Sequence, residues 1–230
     1  MAIAVTTLST ADNGSGSTLP LTGVTFPSTA LVVVFVSENG PVSPGSVSDG
    51  VNNYSLITSQ APGGGGRLTQ IFYAWNVTGI SGGTITFNKN GTSNCAMSAL
   101  YATGIQSSSS PLLSAVTNSA SGALSIHPTV TANFPPPIAG DLFIGAVGWN
   151  TSAATFTQDT NLPWSNPFDV NTNRLTNQIG GGYYVNPTLN AISYSPTLNV
   201  SDNWAAIIVA FAQLLPPPSV GFAGLAASEW

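Results

Sequence analysis

Apolar residues in this chain come in short blocks separated by clusters of Gly, Ser, Thr, Asn and Pro. The block Leu31-Val32-Val33-Val34-Phe35-Val36 is apolar without interruption, which marks a strand buried on both faces. Strands are predicted over 3–8, 19–25, 31–36, 54–58, 68–75, 84–87 and 95–102. A second series is predicted over 112–117, 123–129, 141–149, 154–158, 177–185, 191–194 and 203–213. Turn signals punctuate them, among them Gly79-Ile80-Ser81-Gly82-Gly83 and Asn88-Lys89-Asn90-Gly91. No long segment keeps a helical period, so the pattern predicts an all-β antiparallel sandwich, jelly-roll-like. The Ala-rich stretch 205–211 has Ile-Ile-Val at its centre and is read as a buried strand.

The two series resemble each other. Leu31–Val36 is answered by Leu142-Phe143-Ile144-Gly145-Ala146-Val147, and Phe72-Tyr73 by Tyr183-Tyr184, each pair followed by Asn76 or Asn186. Ile85-Thr86-Phe87 is matched by Ile192-Ser193-Tyr194, and the 95–101 segment by 204–211. A nearly constant offset of about 110 residues implies an internal pseudo-duplication. The expected organisation is a β-sandwich over 1–213 made of two similar halves, 1–104 and 112–213. Corresponding strands are expected side by side in a single sandwich rather than in two small domains. Beyond it, 214–230 holds the spacer Leu214-Leu215-Pro216-Pro217-Pro218 and an unduplicated apolar arm with Phe222, Leu225 and Trp230.

Composition narrows the function. Only 5% of the 230 residues are charged, with three Lys or Arg, eight Asp or Glu and a net charge of −5. Nucleic-acid binding relies on many basic contacts, so no nucleic-acid partner is expected. The longest strongly apolar run has a strand's length and cannot span a bilayer as a helix, and the first residues show no secretion signal, so no membrane association is expected. The lone Cys95 lies in an apolar run and reads as a buried, inert thiol.

Catalytic chemistry is sparse. The single histidine, His127, stands before Pro128, and Gly63–Gly66 lacks the Lys and Ser/Thr of a phosphate loop. Asp49 and Asp159 occupy matching positions. They read as turn residues that cap their own backbone, with a weaker reading as a calcium site and the weakest as a glycosidase pair. Asp12-Asn13-Gly14-Ser15-Gly16 is a weak calcium candidate, and no cofactor is expected. Six Asn-x-Ser/Thr sequons follow from the Asn, Ser and Thr content alone. Trp149, Trp164, Phe168 and Tyr183 form a candidate aromatic platform for carbohydrate, while the loop around Trp164 reads first as a plug packed on the sandwich edge.

An apolar strand, the Asp49-x-x-Asn52 loop, the Tyr73-x-x-Asn76 strand end and a closing segment from Trp204 to Phe211 resemble Gly/Ser/Thr-rich β-sandwiches of tailed-phage virions and bacterial surfaces. The resemblance spans about residues 30–213 and implies display and assembly rather than catalysis. The expected function is that of a non-enzymatic virion protein, a capsid decoration or other accessory surface protein made in the host cytoplasm. Its expected partners are capsid or other virion proteins and sister subunits in a homo-oligomer, a trimer suiting such a role. The alternative is a carbohydrate-binding or adhesin module at an extracellular or cell surface.

Overall fold

The computed structural model describes residues 2–13, 16–40, 43–62, 67–92, 94–150, 154–170 and 178–215, and of 13 and 166–170 the backbone only. The described chain is all-β. The first eight strands are β1 (Ala4–Asn13), β2 (Thr18–Phe26), β3 (Leu31–Asn39), β4 (Ser46–Ser48), β5 (Ser55–Gln60), β6 (Arg67–Ala74), β7 (Ile80–Asn88) and β8 (Cys95–Thr103). The rest are β9 (Asn118–Ser125), β10 (Val130–Thr131), β11 (Leu142–Trp149), β12 (Phe156–Thr157), β13 (Ser165–Val170), β14 (Gln178–Val185), β15 (Ser193–Tyr194), β16 (Thr197–Leu198) and β17 (Asp202–Phe211).

Two five-stranded antiparallel sheets form the middle of the molecule, in the orders β1-β8-β3-β6-β5 and β9-β17-β11-β14-β13. Outside the first lies β2-β7-β4, and outside the second lie the short pairs β10-β15 and β12-β16. In the first half, successive strands mostly alternate between the large and small sheets, as in a jelly roll. The second large sheet, counted along the chain from β9, repeats this order except that the place of the eighth strand is taken by the ninth, β17.

Side-chain alternation sorts the core into three layers of packing. Val32, Val34 and Val36 of β3 point outward onto Leu21, Phe26, Ile85 and Phe87. Leu31, Val33 and Phe35 point the other way, onto Leu142, Ile144, Ile207 and Val209 of the second large sheet. Phe143, Val147, Trp149 and Ile208 then face Tyr194, Leu198 and Trp164. The uninterrupted apolar run of β3 is thereby explained, because each of its faces meets another sheet.

The halves do not lie side by side in one sheet, as the sequence suggested. They stack through their large sheets, so the molecule is four layers deep. Thr69 Oγ1 donates to Ala205 O across this junction at 3.4 Å, and Ser119 Oγ donates to Gln60 Oε1 at 2.9 Å. Gly148 matters here: a Cβ at that position would run into Thr69 Oγ1 and crowd Ser37.

Of the predicted strand over 112–117, only Leu112 and Leu113 pair with β17, at Phe211 and Ala210, and the rest is a turn closed by bonds from Val116 N and Thr117 N to Leu113 O. The remainder of that edge of β17, from Asp202 to Ile208, is covered by β9. The edge strand β13 runs through Pro167 with a register break between Ser165 and Phe168, the kind of position where a sheet tolerates proline.

Strand directions give the stack two distinct ends. Tyr73 near the end of β6 packs on Phe211 at the end of β17, with ring centroids 5.8 Å apart. Leu214 N donates to Gly104 O, and Gln106 N to Ala212 O. The ends of β6, β8, β14 and β17 and the connection between the halves therefore gather at one end, called the near end.

Candidate functional site

The near end of each half is organised by an aspartate turn. Gly50 adopts a φ of 80° after β4, and Asp49 gathers the loop that follows. Its Oδ1 accepts from Val51 N at 2.9 Å and Asn52 N at 2.7 Å, while Oδ2 accepts from Asn52 Nδ2 at 2.8 Å and the Tyr54 hydroxyl at 3.0 Å. Partial burial pushes the Asp49 carboxyl pKa up, but these four donors outweigh it and leave it below the ordinary value. Burial, with Asp49 beside it, pushes the Tyr54 hydroxyl well above its usual range, so it remains a donor. Asn52 then reaches the next loop, accepting from Thr78 N at 2.8 Å and donating to Thr78 O at 3.1 Å.

Asp159 does comparable work in the second half. It is 4% exposed, accepting from Asn161 N at 2.8 Å and Ser195 N at 2.7 Å. Both aspartates thus act as loop fasteners, the turn role read from their spacing. They stand against opposite outer layers, with both large sheets between them. Packed sheets lie about 10 Å apart, so the two carboxylates cannot serve one glycosidic bond. Among the described residues no group of three or more His, Cys, Asp or Glu side chains forms a metal site.

Each turn borders a cleft. One, of about 320 Å³, is lined by Val51, Asn52, Trp75, Asn76 and Thr78 with their neighbours. The other, of about 400 Å³, is lined by Asp159, Asn161, Leu162, Tyr184, Asn186 and the 188–195 loop. Asn186 is 1% exposed and shapes that loop: its Oδ1 accepts from Thr188 N and Oγ1, and its Nδ2 donates to Asn190 O. Among the described residues no Lys, Arg or His lines either cleft.

Trp149 and Trp164, two of the four platform candidates, are buried rather than at the surface. Trp149 is 1% exposed, stacked on Phe156 with 5.6 Å between centroids, and its indole N–H donates to Ala154 O at 3.2 Å. Trp164 is 6% exposed, wedged against Tyr194 at 4.6 Å and Tyr184 at 5.8 Å. Tyr183 is half-buried on the opposite face of the sheet, toward the central core. Phe168 is placed on β13, and its side chain lies outside the described residues. Large rings in a chain so poor in charge go to the core, since that is where their area is most favourably placed. Tyr184, Trp75, Asn161 and Asn190 were not singled out from sequence as site residues; the repeated Tyr and Asn strand ends were the available signal.

A second polar cluster sits at the far end, inside the fold. Glu38 is fully buried, with Gln70 Nε2 donating to its Oε2 at 3.2 Å. Burial raises its pKa above the ordinary carboxyl value, against the opposing pull of Gln70, Lys89 and the Asn90 backbone. Burial lowers the Arg67 pKa, which Asp202 from the other half opposes. Burial also drives the Cys95 thiol far up, so it stays protonated and inert. His127 is exposed.

The arm residues Phe222, Leu225 and Trp230, like Gly63–Gly66, lie outside the described residues. The point where the chain leaves the fold is described. Leu214 is pinned to Gly104, and Leu215 is 52% exposed. Comparison with family models, curated proteins and solved structures finds no match to this chain.

Proposed function

We propose that this protein is a non-enzymatic structural component of a virus particle, a capsid decoration or other accessory surface protein of a phage, which assembles through the segment after Leu215. The observation that carries the reading is the exit of the chain. After β17, Leu214 is fixed at the junction of the halves and Leu215 emerges half-exposed. A Pro-rich, then apolar, segment starts from that rigid base. A body with so few charges and a fully packed interior suits a protein whose surface is shared with neighbours. We also infer that the halves are two copies of one jelly-roll unit, a reading supported by the common strand order of the large sheets and the matched aspartate turns.

Removal of residues 219–230 tests the assembly reading. The truncated protein is expected to melt as the full chain does but to lose binding to particles and to sister subunits, as followed by co-sedimentation and sedimentation velocity. Unchanged assembly by the truncated protein would refute it.

A further inference from the structure

The near-end clefts have a chemistry that the assembly reading does not use. The cleft beside Asp159 has, among the described residues, a single aromatic wall, Tyr184, half-buried and backed by Trp164, which is itself held against Tyr194. Such backing fixes the ring, so a ligand would meet a surface already ordered. Opposite it stand carboxamides and hydroxyls: Asn161, Thr188, Asn190, Ser193 and Ser195. The exposed amides of Asn161 and Asn190 can each donate and accept. Asn186 spends both ends of its own amide on holding the 186–190 loop, which sets the position of Asn190.

This lining selects among ligand classes. Phosphate and other anions would find no cation among the described residues of the cleft. A metal ion would find one carboxylate, Asp159, whose oxygens already accept from Asn161 N and Ser195 N. A purely apolar ligand would leave the amides unpaired at a cost. A neutral sugar matches both elements, with its C–H face on the ring and its hydroxyls on the amides. The volume of about 400 Å³ lies near the bottom of the ligand-pocket range, about 300–1,000 Å³, and suits one or two sugar rings.

We propose that the cleft beside Tyr184 binds a neutral glycan unit, stacked on Tyr184 and hydrogen-bonded by Asn161 and Asn190. The cleft beside Trp75, with Asn53 and Asn76, repeats the combination of one aromatic with carboxamides and is a second site of the same class. The proposal stands independently of the assembly reading, because the tail takes no part in it.

The test uses the full chain on an array carrying neutral hexose, N-acetylhexosamine and deoxyhexose glycans beside sialylated and sulfated ones, followed by titration of the best glycan in solution. Binding to neutral glycans is expected, weakened at least tenfold by Asn161→Ala with Asn190→Ala while the melting temperature stays unchanged. Tyr184→Phe should retain binding, and Tyr184→Ala should lose it. If Tyr184→Ala fails to fold, the two exposed Asn substitutions still decide. The proposal is overturned if the intact protein binds no glycan, binds acidic glycans only, or binds equally well after both Asn side chains are removed.

Discussion

Asp49 holds its loop through four hydrogen bonds to two oxygens, so truncating it frees Val51 N and Asn52 N at once. Asp49→Ala is expected to lower stability by about 1–2 kcal/mol, toward the lower end because water reaches this turn. Urea unfolding at pH 7 measures it. Because the folded pKa lies below the unfolded value of 3.8, the carboxylate's contribution is present above pH 3.8 and fades as pH falls through the lower folded value. The gap between variant and wild type should therefore narrow on acidification below pH 3.8. The role of Asp49 was legible in the sequence, since an Asp followed by Gly and Asn is a local motif. Trp164 allowed two readings, a platform ring or a loop plug packed on the sandwich edge, and Tyr184 and Tyr194 on either side of the ring favour the plug.

Strands with both faces buried announced themselves. β3, β11 and β17 are apolar over most of their length, and each packs in two directions. Edge strands did not, because a strand that pairs on one side only needs no apolar pattern. β9, Asn-Ser-Ala-Ser-Gly-Ala-Leu-Ser, is largely small and polar, and β13 contains Pro167. Between the central strands the decisive residue is small: Gly148 lets β11 approach the first large sheet where Ser37 and Thr69 stand, both 2% exposed. Gly148→Ala is expected to cost about 1–3 kcal/mol in urea unfolding by overpacking this contact. Adding Thr69→Ala, which removes the obstructing hydroxyl, should recover part of the loss, so the two changes will not add.

At the scale of the molecule, the sequence carried the all-β class but not the way the sheets meet. Apolar runs report that a strand is covered on both faces, and they are silent on which sheet does the covering. Stacking through the large sheets means that either half alone would present Leu31, Val33, Phe35, Ile71 and Leu100, or their counterparts, to water. A continuous face of that kind is uncommon on a soluble monomer. Residues 1–111 expressed alone are expected to precipitate or pair face to face. A concentration-independent monomer with a cooperative melt, seen by sedimentation velocity and calorimetry, would contradict this.

The meeting of Ala2, Gly104 and Leu214 at one end of the stack has a practical and a biological consequence. Ala2 lies against Gly104, the tail departs beside that same glycine, and both clefts open among the neighbouring loops. A tag fused ahead of Ala2 would thus stand beside both proposed clefts, and a support gripping that tag would shade them. Under the assembly proposal, a protein held through the chain that leaves at Leu214 would bring both clefts to the side of its anchorage. If tail and clefts address one target, the three contacts act as a multivalent grip, in which each raises the effective concentration of the others. If they address two, attachment through one leaves the other facing the wrong way, and the molecule works as a coupler only when its tail is slack.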